Sequence, residues 1–161
     1  MEPKSELYVR KARQEDVSDI TEIIAENVFK TDGSGFLLPL SEKAITGLVE
    51  GNKFFSVYVC GRFAGCAAVI GYNGIVELRS LVIREEFRGK GAGSMLIRSC
   101  KEDALMDGYS EIYAFTQPQN LELFQKEGFY IEEKPQQKLL KDCLVCPLYD
   151  RCKEIPLVHK F

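Results

Sequence analysis

The sequence predicts a single α+β domain built around one mixed sheet. Three strand-like segments, residues 54–60, 63–70 and 75–83, follow one another with short glycine-containing turns between them, which is typical of an antiparallel meander. The segments after them alternate between helix and strand, so later strands extend the same sheet. The 161 residues, 45% of them hydrophobic, suffice for one compact domain.

The N-terminal part is expected to supply a strand over residues 7–11 and then two helices. Apolar side chains recur every three or four positions over residues 17–28, which indicates a helix with one buried face. Asp16 is the predicted cap of this helix, and Ser41 is the predicted cap of a short second helix that runs to Glu50.

The elements after the meander are predicted from the same periodicities. A longer helix is expected over residues 91–106 and a fifth strand over residues 111–116. A short helix over residues 120–126 and a sixth strand over residues 129–132 follow. After Lys134 the pattern dissolves, and we expect a tail.

Charge and hydropathy exclude several classes of protein. The 24 acidic and 21 basic side chains give a net charge of −3, whereas a general nucleic-acid coat needs a basic excess. Nine charged residues among the first twenty do not fit a signal peptide, and no apolar run approaches the roughly 18 residues of a membrane span. We therefore expect a soluble cytoplasmic protein that binds neither nucleic acid nor membrane.

The most informative segment is a glycine-rich loop between a predicted strand and a predicted helix. Gly89, Gly91 and Gly93 alternate there, so backbone N–H groups can close around an anion at the positive end of the helix dipole. A Walker loop would need a lysine before Ser94, and a dinucleotide fingerprint would follow a parallel rather than an antiparallel strand. The loop is thus either a pyrophosphate cradle or a glycine-rich helix entry without a ligand.

Five segments carry a resemblance to a known family. Residues 88–93 (RGKGAG) resemble the Arg/Gln-x-x-Gly-x-Gly/Ala signature of the GNAT acetyltransferase superfamily, and residues 120–129 resemble its following helix with a Gly-Phe ending. Residues 77–83 (ELRSLVI), 36–39 (FLLP) and 141–147 (KDCLVCP) are similar to segments of short, stand-alone N-acetylglutamate-synthase-like acetyltransferases.

The resemblance implies a GNAT-type domain with a mostly antiparallel sheet, helices on both faces and a notch where the fourth and fifth strands splay apart. Acetyl-CoA would lie in that notch, with its pantetheine arm paired to strand backbone and its pyrophosphate held by the glycine loop. Arg88 and Lys90 either add charge near the phosphates or form a solvated basic turn. The residues implied to bind acetyl-CoA are Leu81, Val82, Ile83, Arg88, Gly89, Lys90, Gly91, Ala92, Gly93, Ser94, Asn120 and Phe124.

The implied reaction is direct transfer of an acetyl group from a thioester to an amine. Because only a neutral amine attacks, a base should lie beside the acetyl group, and Glu77 is the candidate. The alternative for Glu77 is an exposed strand carboxylate. Arg79 stands two residues later on the same face of the strand, where it binds either the carboxylate of a substrate or Glu77 itself.

Two departures from the family pattern bear on mechanism and substrate. Many members place a tyrosine four residues before the Gly-Phe pair to protonate the departing thiolate, and this chain has Phe124 there. Tyr113 is either a substitute acid or a core residue. The short synthase-like proteins have an arginine after Leu-x-Leu-Pro, where Leu40 follows Pro39 in this chain, so glutamate is not the expected substrate.

Together these observations predict an acetyl-CoA-dependent N-acetyltransferase that acts on an amino acid or a similar small amine. The alternatives are a protein N-acetyltransferase and a non-catalytic module that senses acetyl-CoA or binds metal. We expect the acetyltransferase domain over residues 1–134, with a tail over residues 135–161 packed on it. By analogy with similar proteins, the chain is a candidate for homodimer formation.

The tail contains a cysteine cluster with two interpretations. Cys143 and Cys146 have the spacing that lets two thiolates meet one zinc ion, and Cys152 would be a third ligand. Asp142, His159, a water or a partner would then complete the tetrahedron. Otherwise the three cysteines are reduced thiols that pack the tail over the sheet.

Overall fold

The computed structural model describes residues 6–28, 30, 34–35, 37–135 and 154–161. Short 3₁₀ turns precede the first and last helices and follow the fourth strand. The elements, in chain order, are β1 (Leu7–Lys11), α1 (Val17–Glu26), α2 (Glu42–Glu50), β2 (Phe54–Val59), β3 (Arg62–Tyr72), β4 (Ile75–Ile83), α3 (Ala92–Met106), β5 (Glu111–Thr116), α4 (Leu121–Lys126), β6 (Tyr130–Ile131) and β7 (Ile155–Lys160).

The seven strands form one sheet in the order β1-β2-β3-β4-β5-β7-β6. Strands β4 and β5 pair in parallel, and the other neighbouring strands pair antiparallel. The predicted α+β class and the mixed, mostly antiparallel sheet are confirmed. The β2–β3 and β3–β4 connections are the short hairpins that the glycine-containing turns predicted.

Helices cover both faces of the sheet. Phe54 and Phe55, adjacent on β2, point to opposite faces because side chains alternate along a strand. Phe55 joins the core beneath α3 and α4, in which Leu96 is fully buried. Phe54 joins the core beneath α1 and α2 with Ile20 and Ile45. Burial of these apolar faces against the sheet stabilises both helix layers.

Of the two predicted helix caps, one is confirmed and one is wrong. The Ala44 backbone N–H donates to Ser41 Oγ at 3.1 Å, so Ser41 caps α2. Asp16 makes no side-chain capping bond to α1. Its buried carboxylate instead accepts hydrogen bonds from the Arg13 backbone N–H at 2.8 Å, from Arg10 Nη1 at 2.6 Å and from the Tyr58 hydroxyl. It therefore fastens β1, the following turn and β2 together.

Strand β7 was not predicted. Residues 155–160 lie between β5 and β6, so a segment interpreted as tail supplies an inner strand. The remaining part of that tail, residues 136–153 with Cys143, Cys146 and Cys152, lies outside the described residues. Across the described ranges, no helix is long and apolar enough to span a membrane.

Candidate active site

Strands β4 and β5 diverge in the middle of the sheet. Their parallel pairing joins Glu77 to Tyr113 and Leu78 to Ala114, and it ends there. Strand β4 continues to Ile83, still paired with β3. The edge of β4 beyond Leu78 therefore faces a gap rather than β5, which is the splaying that the resemblance implied.

A β-bulge in β4 begins where the two strands part. The β3–β4 register passes from Ala68 opposite Arg79 to Cys66 opposite Val82, so β4 has one extra residue. Ser80 adopts the left-handed conformation there, with φ +57°. A bulge re-aims the strand's backbone groups and increases its local twist. It thus shapes the edge that faces the gap.

The glycine loop leads from this edge into α3. Gly89 and Gly91 have φ values of +77° and +87°, which residues with a Cβ rarely adopt. Gly91 is the N-cap of α3, and the N–H of Met95 donates to its carbonyl at 3.1 Å. At Gly93, an added Cβ would lie 3.1 Å from Leu123 Cδ2, so glycine permits close packing of α3 and α4. The N-terminal N–H groups of a 15-residue helix meet the gap here.

The gap beside β4, the glycine loop and the N-terminus of α3 together form a cleft of about 380 Å³. All the residues that were predicted to bind acetyl-CoA line this cleft, except Lys90 and Phe124. Gln119 and Leu123, which sequence reasoning missed, line it too. Arg88 is among the lining residues, and its Nε donates to the Ile83 carbonyl at 3.2 Å, which ties the loop to the end of β4.

Phe124 lies in the core instead of the cleft. Its side chain is 3% exposed, and its ring meets that of Phe129 edge-on with centroids 5.4 Å apart. On the short helix α4 the preceding residue, Leu123, faces the cleft in its place. The position of Phe124 therefore does not support its predicted contact with pantetheine. Lys90 is exposed and lies outside the cleft lining.

The predicted base and the predicted substrate residue lie on the other face of the sheet. Val76 and Leu78 belong to the core beneath α3, so Glu77 and Arg79, which alternate with them along β4, point toward the α1 and α2 side. Glu77 is 5% exposed, which excludes the exposed-carboxylate alternative. The Tyr72 hydroxyl donates to Glu77 Oε2 at 2.7 Å, and Arg79 Nε lies 3.7 Å from Oε1.

A second carboxylate near this pair was missed by sequence reasoning, because it was assigned to the tail. Glu154 directly precedes β7, whose first residue pairs with Thr116 at the end of β5. Burial raises the pKa of Glu154, the negative charge of Glu77 raises it further, and Arg79 opposes the shift. The site thus combines two acidic groups and one guanidinium.

Tyr113 packs in the core, which was one of its two predicted roles. It is buried with Ile75 and Val158, and burial together with a hydrogen bond to Glu111 raises the pKa of its hydroxyl to about 12. Such a phenol holds its proton strongly at neutral pH, which disfavours it as the acid of the reaction.

Cys66 and Cys100 are buried, and burial raises the pKa of both thiols, so both are protonated. In the described part of the chain, no group of three or more His, Cys, Asp or Glu residues could hold a metal ion. The zinc prediction concerns Cys143, Cys146 and Cys152, which lie outside the described residues.

Comparisons with known proteins agree with this architecture. A model of the acetyltransferase (GNAT) family matches residues 12–129. An uncharacterized N-acetyltransferase of Chlorobaculum tepidum is 31% identical over 160 residues, 97% of both chains. An amino-acid acetyltransferase of Shewanella oneidensis is 28% identical over 126 residues, which cover 76% of this chain and 27% of that protein.

Among solved structures, N-acetylglutamate synthase from Neisseria gonorrhoeae, complexed with coenzyme A and N-acetyl-glutamate, shares the fold. Its TM-score is 0.76 at 21% identity, and the match covers 98% of this chain. This chain spans 36% of that protein's length. The likeness therefore concerns the fold of one part of the synthase.

Proposed function

This chain belongs to the GNAT family of acetyl-CoA-dependent N-acetyltransferases, and we propose that its acceptor is the amino group of an amino acid or a similar small amine. The observation that carries the proposal is the ion pair between buried Glu77 and half-buried Arg79, beside the point where β4 and β5 part. It combines a carboxylate for proton transfer with a guanidinium for anion recognition.

Acetyl-CoA enters from the cleft side in this proposal. The N–H groups from Gly89 to Ser94 surround the pyrophosphate at the N-terminus of α3, where the helix dipole favours negative charge. The pantetheine arm lies along the open edge of β4 and pairs with it as an added strand does. The acetyl group then reaches the gap between β4 and β5, within range of the opposite face.

The acceptor binds on the opposite face, with its carboxylate at Arg79. A guanidinium presents two parallel N–H donors, which match a carboxylate better than an ammonium does. Glutamate is not the acceptor that we expect. Leu40 stands where the similar short proteins have an arginine, so this chain lacks that cation for the second carboxylate of glutamate.

Glu77 acts as the base. It accepts the proton that the amine loses, directly or through a water, while the nitrogen bonds to the acetyl carbon and the carbon–sulfur bond breaks. The electron pair of that bond leaves with the sulfur of coenzyme A. Because a thiolate of pKa near ~8.5 is an adequate leaving group, Phe124 in place of the family tyrosine does not block the step.

A thiol-release screen tests the proposal. Purified protein and acetyl-CoA are incubated with each amino acid, with the matching decarboxylated amines and with short peptides, and free coenzyme A is measured. We expect turnover on a subset of amino acids and weaker turnover on their decarboxylated partners. Turnover on peptides alone would instead establish a protein N-acetyltransferase. Acetyl-CoA binding without turnover on any amine would indicate a non-catalytic module.

A further inference from the structure

Cys66 on β3 contacts the backbone of the bulge at Ser80. The Sγ of Cys66 lies 3.7 Å from the Ser80 carbonyl oxygen, within the range of a thiol hydrogen bond. Cys66 is fully buried, and it pairs in register with Val82 on the far side of the bulge. The extra residue of a bulge leaves the regular ladder, so its carbonyl depends on such a side-chain donor.

The residue before Cys66 shows how closely β3 and β4 approach at this point. A Cβ added at Gly65 would lie 2.3 Å from the Val82 carbonyl oxygen and 3.0 Å from Ile83 Cα. Only glycine permits that approach, because both contacts are with backbone that cannot swing away. The bulge is therefore clamped on its β3 side, and its open side faces the cleft.

The thiol is suited to donate. Burial raises the pKa of Cys66, so the sulfur carries its proton throughout the neutral range. Its cross-strand neighbour on β2 is Ser56, whose buried Oγ has no hydrogen-bond partner among the described residues. A hydroxyl at position 66 sits closer to the backbone than the sulfur, so it donates to the Ser80 carbonyl only after a small local shift, and Ser56 is the other polar side chain facing it.

We propose that Cys66 is a positioning residue for acetyl-CoA: its thiol fixes the Ser80 carbonyl and thereby the backbone edge of β4 that receives the pantetheine arm. The inference rests on the proposed function, since it assumes that acetyl-CoA lies along this edge. Cys66 has no contact with the cofactor in this scheme. It acts through the conformation of Ser80, in which φ is +57° and a non-glycine residue needs support.

The test compares Cys66→Ser with Cys66→Ala, which differ by one hydroxyl oxygen. Both variants lose the sulfur, but only serine keeps a donor for the Ser80 carbonyl, and thermal unfolding records the stability that each variant loses. Acetyl-CoA affinity, measured by isothermal titration, should depend on whether the donor is present. We expect the serine variant to bind close to wild type, and the alanine variant to show a Kd raised roughly threefold to tenfold. The KM for acetyl-CoA should rise with it.

Cys100→Ser and Cys100→Ala are the matched controls. Cys100 is equally buried, but it lies in the middle of α3, in the core between this helix and the sheet. These variants should change the melting temperature and leave acetyl-CoA affinity within about twofold of wild type. If Cys66→Ala does not fold, Cys66→Val refills the site without a donor and should show the same loss of affinity.

The outcomes separate this inference from the proposed function. Equal affinities of Cys66→Ser and Cys66→Ala, with a wild type that binds acetyl-CoA, would overturn the inference alone. An equal loss of affinity in Cys100→Ala would overturn it as well, because the effect would then follow stability. A wild-type protein that does not bind acetyl-CoA would overturn both.

Discussion

Gly91 and Gly108 hold the same left-handed backbone conformation at opposite ends of α3, with φ values of +87° and +88°. A Cβ at Gly108 would meet no atom within 4 Å, and one at Gly91 would meet only Leu7 Cδ2 at 3.8 Å. The two positions therefore impose the same backbone strain on a substituted residue, with little steric difference. They differ in that Gly91 lines the cleft.

This pair gives a controlled test of the cofactor loop. Gly91→Val and Gly108→Val should each lose roughly 1–3 kcal/mol of unfolding free energy, since valine is strained at positive φ. Gly91→Val should in addition weaken acetyl-CoA binding by at least about tenfold, because the N–H groups that hold the pyrophosphate are displaced. Calorimetric titration and urea unfolding of both variants give the comparison. Normal binding by Gly91→Val would mean that the loop does not hold acetyl-CoA.

Glu77→Gln tests the assignment of the base. The amide cannot accept the proton of the amine, so kcat should fall about 10²- to 10⁴-fold. Acetyl-CoA affinity should be unchanged, since Glu77 lies on the face opposite the cleft. Tyr72→Phe removes the hydroxyl that donates to Glu77 Oε2 and should cause a smaller loss of kcat. A Glu77→Gln enzyme with wild-type kcat would leave the base unassigned.

The elements that sequence reasoning predicted correctly depend on local signals. The alternating glycines, the 3.6-residue periodicity of α3 and the short turns of the β2–β3–β4 meander all act within a few residues. Strand β7 depends on a distant partner instead. Its pairing with β5 joins residues 39 to 49 positions apart, from Thr116 with Ile155 to Glu111 with Lys160. Pro156, which lacks a backbone N–H, also argues against a strand when the sequence is considered alone.

Within the site, the direction of the side chains along β4 could be predicted from the sequence, whereas the β-bulge at Ser80 could not. The period of two along a strand placed Glu77 and Arg79 together, and the ion pair is present. The left-handed Ser80 gave no signal, because serine has no preference for that conformation and the residues in contact with the bulge, Gly65 and Cys66, lie on another strand. Asp16 was assigned to the helix that it precedes, whereas its partners Arg10 and Tyr58 come from two strands.

Asp16 should make the fold sensitive to acid. Burial alone would raise its pKa, but hydrogen bonds from Tyr58, the Arg13 backbone and Arg10 outweigh burial and hold the pKa below its ordinary value of 3.8. Because the pKa of Asp16 is lower in the folded protein than in the unfolded chain, its ionised carboxylate stabilises the fold above pH 3.8. That contribution to the unfolding free energy is lost as the pH falls through the pKa of Asp16 in the folded protein. The unfolding free energy of the wild-type protein should therefore decrease as the pH is lowered below 3.8.

Asp16→Asn removes that dependence. Because a charged hydrogen-bond network is lost at a buried position, the variant should be less stable by about 1.5–3 kcal/mol at pH 7, and the difference from wild type should shrink in acid. Asp19→Asn is the control, since Asp19 pairs with Arg84 and is far more exposed than Asp16, so its ion pair contributes less. Urea unfolding at neutral and acidic pH measures all three proteins. A constant difference between wild type and Asp16→Asn would show that the carboxylate charge is not what stabilises the network.

Arg79→Lys tests whether the guanidinium binds the carboxylate of the substrate. Lysine keeps the positive charge beside Glu77 but lacks the planar fork that binds a carboxylate with two parallel hydrogen bonds. The KM for an amino acid should therefore rise roughly tenfold, which corresponds to about 1.4 kcal/mol, while the KM for its decarboxylated amine stays near wild type. Acetyl-CoA affinity should not change, because Arg79 lies outside the cleft lining. Steady-state kinetics on such a matched pair of substrates separates the two roles of Arg79. If the substitution slows both substrates equally, Arg79 serves only to hold Glu77 in place, and the assignment of an amino-acid acceptor loses its main support.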